Sequence, residues 1–88
     1  MVGFQFYGSV RAAAGKDGDE IAAAGKSVYE ALSLLPLREE IFWPSDEVIR
    51  EDLTILINGA VAQHSKLKEI KLKQNDIVSL LPSFTGGG

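Results

Sequence analysis

Leu53-Thr54-Ile55-Leu56-Ile57-Asn58-Gly59-Ala60-Val61-Ala62-Gln63 is the stretch on which the fold turns. Leu53, Ile55 and Ile57 alternate with Thr54, Leu56 and Asn58, and β-branched residues at a period of two suit a strand. Asn58-Gly59 comes at once after it. Both residues accept positive φ, so the pair predicts a tight hairpin that returns the chain over residues 60–63.

Downstream, Leu67, Ile70 and Leu72 supply short apolar anchors, and Gln74-Asn75-Asp76 reads as a turn. Residues 77–81 form a final strand whose apolar run is broken only by Ser79, which predicts burial on both faces. Upstream, Ser27-Val28-Tyr29-Glu30 has the form of a capping box, the serine and the glutamate three residues on satisfying free N–H groups at a helix start. Val28, Ala31, Leu32 and Leu35 then fall on one stripe able to cover a sheet, and Pro36 closes the helix or kinks the segment after it.

At the other end of the chain, Val2, Phe4 and Phe6 alternate with Gly3, Gln5 and Tyr7, so the chain opens with a strand. Gly8-Ser9 interrupts it. Residues 10–15 are too rich in alanine to be assigned from periodicity. Lys16-Asp17-Gly18-Asp19 is predicted as a turn, with a second strand over residues 20–24. Residues 37–52 are expected to form short helical turns, with Ser45-Asp46-Glu47 as a possible second helix start before Val48 and Ile49. Trp43 reads as a core plug or lid rather than a ligand-stacking ring. One sheet against one main helix makes an α+β domain over residues 1–82, followed by a flexible glycine tail over residues 83–88.

Composition narrows the function. Eighty-eight residues, 45% apolar and 24% charged, have room for one core and no deep private active site. The charge of −3 is spread without a basic block, which argues against a nucleic-acid partner. Lys66, Lys68, Lys71 and Lys73 read as a solvated face or a docking patch for an acidic protein. Asp46, Glu47, Glu51 and Asp52 near Arg50 read as a solvated face or a steering patch for a basic one. There is no cysteine, so disulfides, thiolate nucleophiles and thiolate metal sites are excluded. His64 reads as a surface-loop histidine without a triad, Gly15 and Gly18 as turn residues, and no set of side chains has metal-ligand spacing. Met1-Val2-Gly3-Phe4 lacks the pattern of a signal peptide and no apolar run is long enough to span a membrane, so a cytoplasmic protein is expected.

The ending carries most of the functional signal. Residues 77–88 contain no charged side chain and finish in Gly86-Gly87-Gly88. Such a tail, taken alone, fits a frayed terminus, an expression scar or a functional arm. Glycine can thread a slot too narrow for a Cβ. At roughly 3.3–3.6 Å per residue, the segment after Pro82 can reach on the order of 20 Å from the fold. A terminal carboxylate on such an arm is a poor acyl donor until a partner activates it.

Phe6-Tyr7-Gly8-Ser9-Val10-Arg11-Ala12-Ala13-Ala14-Gly15, Ile55-Leu56-Ile57-Asn58-Gly59, and Asn75-Asp76-Ile77-Val78-Ser79-Leu80-Leu81-Pro82 before terminal glycines together resemble the small subunit of molybdopterin synthase. The resemblance implies a ubiquitin-like β-grasp fold, a layout that periodicity alone does not single out among small α+β domains. It implies a sulfur carrier, not an enzyme in itself, that binds no cofactor. A ubiquitin-activating-type enzyme, using ATP, would adenylate Gly88, and the adenylate would become a thiocarboxylate. Sulfur would then pass to a pterin precursor inside the large synthase subunit. Gly86 and Gly87 would thread the partner's channel, and Phe84 and Leu80 would belong to the apolar docking surface.

The chain departs from that pattern in having three glycines, where the family typically has two, and in the bulk of Ser83-Phe84-Thr85. The thiamine-pathway carrier is usually shorter and lacks the Arg-Ala-Ala-Ala-Gly type of segment. The other readings are a carrier for thiamine or tRNA thiolation, a modifier that joins its carboxyl terminus to lysines, and a passive interaction module.

Overall fold

The alternation of Val2, Phe4 and Phe6 becomes β1 (Val2–Phe6) in a computed structural model that describes residues 1–45 and 48–82. The alanine-rich segment that has no apolar period is a helix, α1 (Gly8–Ala14). Alanine is the best helix former, and here propensity needs only one buried anchor, Val10. Gly15 ends the helix at φ 73°, its N–H donating to the Arg11 carbonyl at 2.9 Å.

The second strand, β2 (Gly18–Ile21), runs antiparallel to β1 with Phe4 opposite Asp19. It begins two residues earlier than residues 20–24 predict. Gly18 is therefore a strand residue, not a turn residue: a Cβ there would collide with the Phe4 carbonyl, so only glycine fits against β1. Ala23, beyond the strand, is buried in the core.

The capping box at Ser27 forms as predicted. The Ser27 hydroxyl accepts from the Glu30 N–H at 3.1 Å, and the Glu30 carboxylate accepts from the Ser27 N–H at 3.0 Å. The helix it starts, α2 (Val28–Ser33), buries Val28, Ala31 and Leu32, and Leu35 joins them in the core. A single turn, α3 (Arg38–Ile41), comes next. Val48 and Ile49 do not continue into a second helix. They run back beside Phe42 and Trp43, with Trp43 N–H donating to the Val48 carbonyl and Arg50 N–H to the Ile41 carbonyl, both at 2.8 Å.

β3 (Leu53–Ile57) and β4 (Ala60–Val61) form the predicted hairpin, with φ of 51° at Asn58 and 87° at Gly59. The return strand is shorter than residues 60–63, because a 3₁₀ turn (His64–Lys66) takes over and drops Leu67 into the core. Leu72 is buried as well, and its N–H donates to the Lys26 carbonyl at 2.8 Å, tying this segment to the start of α2.

β5 (Ile77–Pro82) closes the sheet in its centre, parallel to β1 and antiparallel to β3. The order is β2-β1-β5-β3-β4. One mixed five-stranded sheet with a capped helix on its apolar side is the ubiquitin-like β-grasp arrangement. Val2, Phe4, Phe6, Leu53, Ile55, Val78 and Leu80 all point to that side and are buried. The prediction that the last strand is buried on both faces is corrected: Ser79 is covered by its flanking strands, but Ile77 on the same face is exposed and Leu81 is half-buried. Among the described residues, no helix is long and apolar enough to cross a membrane.

Candidate functional site

The parallel pairing of β5 with β1 decides where the chain leaves the fold. Gly3 lies opposite Ile77 and Phe6 opposite Leu80, so both strands end at the same edge of the domain. The Tyr7 N–H donates to the Leu80 carbonyl at 3.0 Å, and Pro82 pairs with Leu53 on the other side. Pro82 is thus held between the β1–α1 junction and the start of β3. Gly86, Gly87, Gly88 and Phe84 all lie beyond it, outside the described residues.

A cleft of about 260 Å³ opens beside Pro82, lined also by Ser9, Val10, Glu40, Arg50, Asp52 and Leu53. Arg50 organises its charged wall. Its Nε and Nη2 donate to the two oxygens of Asp52 at 3.0 and 2.7 Å, and its Nη1 donates to the Glu39 carbonyl at 2.9 Å. The guanidinium also stacks over Trp43, 4.3 Å from the ring centroid, while the indole N–H donates to Glu51 at 2.9 Å. The fork of hydrogen bonds raises the Arg50 pKa above its ordinary value and lowers that of Asp52, so both remain charged at neutral pH. Trp43 is half-buried against this arginine and is neither a core plug nor an open ligand platform.

The second feature is the sheet face turned away from α2. Leu56 sits opposite Val61, and Thr54 opposite Leu81. With Ile77 on the same face, these residues offer an apolar surface: Val61 is 72% exposed, Ile77 41% exposed, and Leu56 and Leu81 are half-buried. Leu80, predicted as a docking residue, does not belong to it. Its register with Phe6 and Ile55 turns it into the core, where it is 0% exposed. The sequence signal that could have identified the face was alternation from Leu80: if Leu80 points inward, Leu81 points outward.

Among the described residues no group of His, Cys, Asp or Glu could hold a metal ion. His64 is more constrained than a free surface histidine. Its Nε2 lies 2.8 Å from the Leu53 carbonyl oxygen, which can only accept, so the ring carries a proton at that nitrogen. Lys68, in the lysine cluster, places its ammonium 4.8 Å from the Tyr29 ring centroid. The described residues therefore hold a tail root, a charged cleft beside it and an open apolar face.

Residues 4–87 match the model of the ThiS family. The chain belongs to the ThiS family. No curated protein gives a significant match to it. Among solved structures, the ThiS-family chain is similar to small archaeal modifier protein 1 from Methanosarcina acetivorans, at 28% identity and TM-score 0.79, covering 98% of this chain and 95% of that one. It is also similar to a putative molybdopterin converting factor, subunit 1, from Pyrococcus furiosus, at 26% identity and TM-score 0.70, covering 93% and 95%. SAMP1 from Haloferax volcanii shares the fold at TM-score 0.78 and 20% identity, with 98% of each chain covered.

Proposed function

We propose that this ThiS-family chain is a sulfur carrier acting as the small subunit of a molybdopterin synthase, with its working group at the carboxylate of Gly88. The carboxylate attacks the α-phosphorus of ATP on a ubiquitin-activating-type partner, releasing pyrophosphate and leaving an acyl adenylate. A donor of sulfide-level sulfur then attacks the acyl carbon, expelling AMP and leaving a thiocarboxylate. Inside the large synthase subunit the thiocarboxylate sulfur bonds to a pterin precursor, and water then cleaves the acyl–sulfur bond and returns the Gly88 carboxylate, for a molybdenum or tungsten cofactor. The chain itself contributes reach and docking and no cofactor, in keeping with a cytoplasmic carrier that works inside other enzymes.

The observation that carries this reading is the placement of Pro82. A central strand, bonded on both sides, delivers the chain to one edge of the domain. Beside that strand lies the apolar face of Leu56, Val61, Ile77 and Leu81. A partner can grip this face while six further residues extend toward its active site. The likeness to the Pyrococcus furiosus protein supports the same choice.

A second reading, a modifier joined through its terminal carboxyl to lysines, is supported by the likeness to the Methanosarcina acetivorans protein. A carrier for thiamine or tRNA thiolation would use the same activation. The test is the intact mass of the chain from its native cells with nothing added after Gly88. Exchange of one oxygen for sulfur at Gly88 supports the carrier, and a Gly-Gly remnant on lysines of other proteins supports the modifier. An unmodified mass with the activating enzyme, ATP and a sulfur source supplied, together with no such remnant on other proteins, would sink both.

A further inference from the structure

From the contact between Gly8 and Pro82 we infer that Gly8 is a positioning residue for activation of the carboxyl terminus, a role that rests on the carrier reading above. Gly8 has φ 57°, and a Cβ built on it would lie 2.7 Å from Pro82 Cγ and 2.9 Å from Pro82 Cδ. Ordinary carbon contacts lie at about 3.5–4.0 Å, so any side chain here would have to push the ring back by about 0.8 Å or more.

Neither side can give way cheaply. Gly8 is the first residue of α1, right after the junction with β1, where the Tyr7 N–H is bonded to the Leu80 carbonyl and the Val10 N–H to the Tyr7 carbonyl at 3.2 Å, with Val10 buried. The proline ring is closed on its own backbone and cannot rotate out of the way. A displacement at Gly8 therefore passes into the backbone of Pro82, the last described residue before the carboxyl terminus that the carrier reading brings to the partner. Threading a terminal carboxylate to a reacting centre is sensitive to such shifts, since a misplacement of about 1 Å can cost on the order of a hundredfold in rate.

Gly15, at the other end of α1, provides the internal control. It too has positive φ, 73°, but an added Cβ there meets nothing within 4 Å. Gly15→Ala carries the backbone strain of Gly8→Ala without its collision. Pro82→Ala removes the two ring atoms that a side chain at position 8 would strike.

The experiment uses full-length chains with the activating enzyme, ATP and a sulfur source, and tracks the initial rate of thiocarboxylate formation against carrier concentration, together with thermal midpoints. Gly8→Ala is expected to lower kcat/KM by roughly ten- to a hundredfold. Gly8→Ala should lower the midpoint through strain and collision together, and Gly15→Ala by less, through strain alone, with kcat/KM unchanged at temperatures where both are folded. Adding Pro82→Ala to Gly8→Ala should recover most of the lost rate relative to Pro82→Ala alone. Equal kinetics for Gly8→Ala and Gly15→Ala, or no recovery in the double variant, would overturn the positioning role alone. A wild-type chain that is not activated at all would overturn the carrier reading and the positioning role with it.

Discussion

The side chain of Asn58 locks the hairpin turn to the carboxylate of Asp76 at the entry of the last strand. Asn58 Nδ2 donates to Asp76 Oδ1 at 3.0 Å, and Asn58 Oδ1 accepts from the Ile77 N–H at 2.9 Å. The other Asp76 oxygen accepts from the Lys73 N–H at 2.8 Å. A residue needed for its positive φ at the turn thus also fixes the register of β3 against β5.

Asn58→Asp is expected to destabilise the fold in a pH-dependent way. The Asn58 amide, and after it the Lys73 N–H, hold the Asp76 carboxyl below its ordinary value of 3.8. A lowered folded pKa contributes stability that is present above the unfolded pKa and lost as pH falls through the folded one. The variant removes the main donor and sets two carboxylates against each other, which raises the pKa of one. The loss should be about 1 kcal/mol at neutral pH and should narrow on acidification as the raised carboxyl protonates. Urea midpoints of both proteins at neutral and acidic pH check this, and a gap that widens in acid would contradict it.

Ser27→Ala should cost about 1 kcal/mol, as loss of a helix cap usually does. Ser27 is 3% exposed, so water cannot readily replace the hydroxyl at the Glu30 N–H. Glu30→Gln separates the charge from the cap, because the amide oxygen can still accept from the Ser27 N–H. The Glu30 carboxyl lies below its ordinary value of 4.5, first through the Ser27 N–H and then through the Ser27 hydroxyl. Its contribution is complete above that value and fades as pH drops through the folded pKa. The thermal midpoint of Glu30→Gln should therefore fall less steeply in acid than that of the wild type.

What was legible in the sequence was local. Asn58-Gly59 and Ser27-Val28-Tyr29-Glu30 each contain the donors, acceptors and φ preferences that make their structures, so hairpin and helix start fall where predicted. The helix at residues 8–14 was invisible to periodicity because one buried residue, Val10, suffices to dock it. The offset of β2 depends on Gly18 fitting beneath the Phe4 carbonyl, a contact between residues far apart in sequence. Leu80 was misplaced because an apolar run does not declare which face is which, and only register with Phe6 and Ile55 does. The Arg50 cluster joins residues of an irregular segment and leaves no spacing signal.

Arg50→Lys keeps the charge but loses the fork that grips Asp52, the Glu39 carbonyl and the Trp43 ring. A lysine ammonium cannot donate to Asp52 and the Glu39 carbonyl in one plane while laying a flat face on the Trp43 ring. With the network partly exposed, the expected cost is about 1–2 kcal/mol. Trp43 is the only tryptophan, so its fluorescence reports the change directly. A spectrum and unfolding midpoint matching the wild type would mean that the cluster does not hold this segment.

Substitutions at Val61 and Leu80 should have opposite consequences, although both positions carry aliphatic side chains. Leu80 is enclosed on the core side of the sheet, and Leu80→Ala should remove about 2–5 kcal/mol through lost contacts and the cavity left behind. Val61 lies on the open face opposite Leu56, where Val61→Asp leaves the core untouched and should cost less than about 1 kcal/mol. That charge, however, would enter the middle of an apolar contact and be desolvated there without a partner. Binding of the activating enzyme, measured by calorimetry, should weaken by roughly tenfold or more for Val61→Asp. Unchanged affinity in Val61→Asp would show that the partner grips a different face, and the surface of Leu56, Val61, Ile77 and Leu81 would lose its assignment as the docking site.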